Sequence, residues 1–145
     1  MKKYETLHLV KMEDLNHHGT LFAAKATAWL VEAGFTVAAL EHGNPNEIVL
    51  RGMQDMSFSK PVAKGSVVRF EGQVVHAGNT SLMVCVKGKN AISNELFMEG
   101  YITFVTIEEG PSAKKSHTVV LDDTDDIEES DARDKALKIL DGGNK

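Results

Sequence analysis

The run Asn16-His17-His18-Gly19-Thr20-Leu21-Phe22, leading without a break into Ala23-Ala24-Lys25-Ala26-Thr27-Ala28-Trp29-Leu30-Val31-Glu32-Ala33, decides how this chain folds. Apolar residues continue to Leu40 with hardly a charge, and then His42, Gly43, Asn44 and Pro45 stop the run, a glycine followed by proline being the usual chemistry of a helix end. A helix with one solvated face would alternate charge and hydrophobe every turn. A helix over 23–40 is therefore expected to be swallowed by a sheet. At helical spacing its polar side chains, Lys25, Glu32 and Thr36, share one narrow stripe. Glu32 is the one carboxylate among them, and an ionised carboxylate among hydrophobes is costly unless paired. Lys25 stands two turns away, roughly 10 Å along a helix axis, so either another partner satisfies Glu32 or the site uses it.

On both sides of this helix the period is two. Tyr4 to Met12 reads as a strand before it. After it come Glu47 to Ser59 with an irregularity near Gly52, Val67 to Ala77, Thr80 to Lys87, and Glu95 to Ile107, each rich in β-branched and aromatic residues. Pro61 and Gly65 mark a turn, Gly78-Asn79 a hairpin. Val68, Phe70 and Val74 oppose Arg69, Glu71 and Gln73, the pattern of a half-exposed strand. One strand, a long helix and four further strands joined by short turns give an α+β layer architecture. Glu108 to Ser116 is a polar loop, Thr118 to Leu121 a candidate extra edge strand, and Asp126 to Leu140 a modest helix with fraying expected beyond Asp141. The expected division is a body over 1–121 and an acidic, partly helical tail over 122–145.

With 145 residues the chain can bury a core without metal or disulfide help. The single cysteine, Cys85, lies in an alternating apolar run and is expected to pack rather than react, which suits a reducing, cytoplasmic compartment. No signal peptide and no apolar run long enough to cross a membrane is visible. A net charge of −5 argues against a nucleic-acid surface. The acid is concentrated between Asp122 and Asp134, so Lys60, Lys64, Lys87 and Lys89 remain available to an anion. No metal site is expected, because His17 and His18 have no third ligand at a recognised spacing.

The motifs Asn16-His17-His18-Gly19-Thr20-Leu21-Phe22-Ala23-Ala24 and Trp29-Leu30-Val31-Glu32-Ala33 resemble the acyl-CoA thioesterase branch of the hotdog-fold superfamily, whose pattern is roughly N-x-x-G-x-L-F-G-G-x-x-x-x-W-M-D-E-A. Asp55-Met56-Ser57-Phe58-Ser59-Lys60-Pro61-Val62 with Gly65 looks like the family's D-x-x-F-x-x-P-V-x-x-G turn, Gly78-Asn79-Thr80-Ser81-Leu82 like its G-R-T-S segment, and Tyr101-Ile102-Thr103-Phe104-Val105 like its closing strand. The resemblance implies a hotdog fold, a curved antiparallel sheet wrapped around one long central helix. It also implies homodimers that often assemble as trimers of dimers, with active sites between protomers. The implied activity is hydrolysis of an acyl-CoA thioester to free CoA and a carboxylic acid, with no cofactor beyond the coenzyme A of the substrate. The sequence departs from the pattern at Val31, which aligns with the family's catalytic aspartate, and at Ala23 and Ala24, which replace paired glycines. One residue turns a helical side chain by about 100°, so Glu32 must reach the same water from a rotated base. Failing that, the protein is a non-catalytic acyl-CoA-binding hotdog protein.

The expected chemistry follows from these positions. Backbone N–H groups at the start of the helix, near Ala23 and Ala24, hold the thioester carbonyl; Glu32 is general base to water; Asn16 orients water or substrate through its amide. CoA is expected along Gly78, Asn79, Thr80 and Ser81 and at Ser59, Lys60 and Pro61. Trp29, Phe22 and Phe58 are expected mostly in the core, with some of them open to wall the acyl tunnel.

Overall fold

The computed structural model describes residues 1–110 and 113–143. Five strands form one antiparallel sheet: β1 (Tyr4–Leu9), β2 (Ile48–Phe58), β3 (Val67–Ala77), β4 (Ser81–Asn90) and β5 (Leu96–Thr106), in spatial order β1-β3-β4-β5-β2. The central helix α1 (Ala23–His42) lies across one face and a second helix, α2 (Ile127–Gly143), across the other. Together these make the hotdog architecture, a curved sheet around one long helix. Gly43, in the left-handed conformation at φ 92°, closes α1 by returning its N–H to the Ala39 carbonyl.

The face of α1 that meets the sheet carries Ala26, Leu30, Ala33, Gly34, Val37 and Ala38, all buried, against Val68, Phe70, Val74, Val84, Val86, Ile102 and Phe104. Burying a side chain such as Leu30 or Val37 contributes about 1.5–3 kcal/mol relative to leaving it in water. Close approach is possible because Gly72 and Gly34 face the interface without side chains: a Cβ on Gly72 would stand 2.8 Å from Val37 Cγ2. The expectation of a helix swallowed on all sides does not hold within one chain. Phe22, Ala23, Ala24, Lys25, Ala28, Glu32 and Leu40 are exposed, because a single sheet can cover only the half of a helix that faces it.

Three further expectations are corrected. β3 is not half-exposed: Gln73 and Val75 on its outer face are buried, because Ala132, Ala136, Ile139 and Leu140 of α2 pack over Val75, Met83, Cys85 and Tyr101. Thr118 to Leu121 adds no strand. Residues 113–121 run as an irregular strap, tied by Lys115 Nζ to Glu47 at 2.7 Å and by the His117 ring to the Ser81 carbonyl at 2.9 Å. Phe22 and Phe58 are about half exposed rather than in the core, and Phe58 instead lines a groove, the other place expected for such a residue, whereas Trp29 is half-buried and stacks on His8. Of the polar loop over 108–116, residues 111 and 112 lie outside the described residues, as do 144 and 145 of the expected frayed end; α2 itself continues past Asp141 to Gly143.

Candidate active site

Asn16 is a loop staple. Its Oδ1 accepts from the backbone N–H of His18 at 2.8 Å and of Thr20 at 3.2 Å, and its Nδ2 donates to Thr20 Oγ1 at 3.1 Å. These bonds leave one Nδ2 hydrogen for a ligand. They also hold Gly19 in its left-handed turn, φ 80°, so that Leu21 N–H reaches the Val62 carbonyl at 2.8 Å and the loop locks against the Lys60–Gly65 turn. His17 and His18 stay exposed, their rings 3.9 Å apart.

This loop delivers α1 with an open first turn. Phe22 occupies the cap position, where serine, threonine, aspartate or asparagine would satisfy a backbone donor, and it makes no side-chain cap. Among the described residues the N–H groups of Ala23 and Ala24 have no acceptor, so two donors and the positive end of the helix point outward together. Beside them opens a groove of about 320 Å³ lined by Asn16, Ala23, Phe58, Lys60, Val62 and Phe97, with Ser59 and Pro61 also on its wall. Asn16, Ala23 and the turn Ser59-Lys60-Pro61 are thus brought together, apolar within and polar at the mouth.

Other candidate residues stand elsewhere. Glu32 is exposed on α1 and makes no ion pair among the described residues, rather than lying embedded among hydrophobes. Lys25 pairs instead with Asp14 at 3.6 Å, a carboxylate only 2 % exposed whose Oδ2 also accepts the Lys11 N–H. Ten residues of helix separate Phe22 from Glu32, about 15 Å of rise, so Glu32 and Asn16 of one chain do not meet. Gly78, Asn79, Thr80 and Ser81 form the β3–β4 hairpin at the far end of the sheet from Ser59-Lys60-Pro61: Ser81 pairs with Val105, while Ser59 N–H bonds to the Phe97 carbonyl. Roughly 30 Å of strand lies between. Lys60 is held by Glu95 and Lys87 by Glu128.

Two residues that sequence reasoning passed over bear on the site. Asp14 is the buried acid at the foot of α1. His8 stacks on Trp29 with ring centroids 4.3 Å apart; burial pushes its imidazole below the ordinary range, and nearby Glu32 pulls the other way. The signal for His8 was its register, since Thr6, His8 and Val10 share the inward side of β1. Cys85 is buried and burial pushes its thiol up to about 11, the inert state expected of a packed cysteine. Among the described residues no group of His, Cys, Asp and Glu is placed to hold a metal ion, and no helix is long and apolar enough to cross a membrane.

A family model described as "Thioesterase superfamily" matches residues 17–96. No curated protein sequence matches. Among solved structures, an acyl-CoA hydrolase from Staphylococcus aureus, in complex with butyryl-CoA, CoA and CoA disulfide, superposes with a TM-score of 0.86 at 24 % identity, covering 98 % of this chain and 84 % of that one. An acyl-CoA hydrolase from Bacillus cereus gives 0.84 at 25 % identity over 96 % and 84 %. A hexameric hotdog-fold thioesterase of Campylobacter jejuni gives 0.68 at 22 % over 78 % and 88 %. The S. aureus hydrolase has also been solved with alanine replacing an asparagine and, in another variant, an aspartate fifteen positions further along.

Proposed function

The chain belongs to the thioesterase superfamily, and on that footing we propose that it is an acyl-CoA thioesterase, releasing CoA and a carboxylic acid. The observation that carries the reading is the uncapped first turn of α1 opening on an apolar groove: a carbonyl placed there receives the Ala23 and Ala24 N–H groups, which stabilise the oxyanion as it forms. Glu32 takes a proton from water as the water oxygen bonds to the thioester carbon, and the collapse of the tetrahedral intermediate breaks the C–S bond and expels CoA thiolate, which takes that proton from Glu32 and leaves the carboxylate ready for the next turn. The Asn16 Nδ2 hydrogen positions water or thioester.

Because Asn16 and Glu32 are apart in one chain, the site is completed by a second copy. β2 is a free edge strand with Val49, Leu50, Met53 and Phe58 about half exposed, an edge that a folded protein normally covers, and the exposed Ala24 and Ala28 of α1 lie on the helix face that the sheet leaves open. A two-fold axis that pairs β2 with its copy runs the strands antiparallel and exchanges their ends. The Gly78–Ser81 hairpin then approaches the partner's Ser59-Lys60-Pro61 turn, and the open face of α1 approaches the partner's Asn16; Glu32, which lies on the side of α1 toward His8 of β1, has to reach that site from a rotated base. The hexameric state of the C. jejuni thioesterase supports further assembly of such dimers, for which exposed Leu7, Leu9 and Met12 beside the other edge are suited. We take 1–121 as the hotdog domain, 122–145 as an acidic, partly helical tail, and the cytoplasm as its compartment, in keeping with an unpaired, buried Cys85.

One observation favours a second reading. Fifteen positions after Asn16, the interval between the asparagine and the aspartate altered in the S. aureus hydrolase, this chain has Val31, which cannot act as a base; the protein would then bind acyl-CoA without cleaving it. Thiol release from a panel of acyl-CoAs, wild type beside Glu32→Ala and Asn16→Ala, decides between them. Turnover that falls at least a hundredfold in both variants, about the contribution of a positioned acid–base group, supports hydrolysis. Tight CoA binding with no turnover in the wild type supports the binding module.

A further inference from the structure

Of the chain's three arginines, Arg69 pairs with Glu5 and Glu71, and Arg133 with Asp122 and Glu129; among the described residues Arg51 has no carboxylate partner. Its position in the sheet is unusual as well. The β2–β5 register steps from Leu50↔Phe104 to Gly52↔Thr103, so Arg51 is the extra residue of a β-bulge, left without a ladder partner on β5. It follows inward-facing Leu50 and points to the outer face of the sheet. There it lines a cleft of about 430 Å³ with Gln54, Ser81, Met83 and Thr103 on the strands and Ile139 and Leu140 on α2.

We infer that this cleft holds the phosphorylated adenosine end of coenzyme A, with Arg51 as its anion partner; the inference rests on the thioesterase reading above. Ser81 belongs both to the hairpin proposed for CoA and to this cleft, so the two are continuous. Within one chain the lysines offered by sequence do not serve that end of the sheet: Lys60 and Lys64 lie in the turn at the opposite end, and Lys87 is held by Glu128. A guanidinium can grip a phosphate with two parallel N–H bonds, and the Ser81 and Thr103 hydroxyls add donors. Met83, Ile139 and Leu140 form an apolar wall suited to the flat face of a purine. The negative end of α2 disfavours phosphate on that wall, so base and phosphate are sorted to opposite sides.

The test titrates adenosine 3′,5′-bisphosphate, which is the nucleotide end of CoA without pantetheine, onto the full chain by calorimetry. Binding to wild type that weakens about tenfold or more in Arg51→Gln, the loss of one charge-assisted contact, and recovers in part in Arg51→Lys, supports the assignment. Arg51→Gln should also raise KM for acyl-CoA and erase the preference for acyl-CoA over acyl-pantetheine, and the bisphosphate should compete with acyl-CoA. Equal binding by wild type and Arg51→Gln overturns it, as does inhibition that is not competitive, which would make the cleft a separate nucleotide site. Hydrolysis by wild type with no response to Arg51 removes this inference and leaves the thioesterase reading intact. Arginine-dependent bisphosphate binding without hydrolysis removes only the catalytic reading.

Discussion

Lys25 reaches back 3.6 Å to Asp14 rather than forward to Glu32, and this one pairing separates the structural charge of α1 from the charge available for chemistry. Asp14 is 2 % exposed and also accepts the Lys11 N–H at 2.9 Å. Asp14→Ala removes both bonds and should cost about 1–3 kcal/mol, seen as a lower urea midpoint with an unchanged slope. Lys25→Ala, by contrast, should leave thioester turnover within about twofold, since its partner lies at the loop and its head is solvated. A hundredfold loss in Lys25→Ala would show instead that Lys25 takes part in the reaction.

The strap over 113–121 should come away in acid. The Lys115 ammonium, and then His42 at 2.7 Å, hold the Glu47 carboxyl below its ordinary range, and Lys87 does the same for Glu128 on α2. A depressed folded-state value means that the unfolded chain takes up protons first as pH falls. The stabilisation is therefore full above the ordinary glutamate range and is lost as pH drops through the folded-state values. Unfolding followed by fluorescence should show stability falling below about pH 4.5, and Glu47→Gln should flatten that limb. An unchanged profile in Glu47→Gln would sink this account.

Helix α2 shields the thiol of Cys85. Ala136, on α2, is fully buried against Met83, Cys85 and Tyr101, so Ala136→Glu overfills a packed apolar contact with a charged side chain and should detach the helix. The wild-type thiol, pushed up to about 11 by burial, should resist a disulfide probe at neutral pH. In Ala136→Glu it should react fully, while far-ultraviolet circular dichroism retains the strand signal. Equal thiol reactivity in the two proteins would mean that the sheet alone protects Cys85.

The strands and α1 were legible because period-two runs, Gly43 and the Pro61–Gly65 turn are local signals, and the motif order from Asn16 to Val105 indicated how they assemble. The bulge at Gly52 was legible for the same reason. What misled was burial. Counting hydrophobes around α1 predicts burial on all sides, but it cannot tell a surface covered by the chain's own sheet from one left for another copy, so Glu32 was expected among hydrophobes and Phe22 mostly in the core. The outer face of β3 was misread for the complementary reason: its polar residues Arg69, Glu71 and Gln73 suggested solvent, while the helix that covers it is distant in sequence. The pairing of Lys25 with Asp14 was likewise invisible, because it joins the helix to the loop before it rather than two positions on one helical stripe.

Phe22 offers the sharpest check on the proposed oxyanion site. A cap residue without a side-chain acceptor leaves α1 less stable than it could be, and Phe22 makes no cap bond. Phe22→Asp should satisfy a first-turn N–H and complement the helix dipole, raising stability by about 0.5–2 kcal/mol. The same bond takes the donors that a thioester carbonyl would use and sets a negative charge where the oxyanion forms. Turnover should therefore fall by about 100-fold or more as the melting temperature rises. The opposed signs matter, because a variant that merely damaged the fold would lose both together. Phe22→Leu, which caps nothing and keeps an apolar side chain, should retain activity. A Phe22→Asp protein that is both more stable and fully active would show that the open turn of α1 is not where the carbonyl sits.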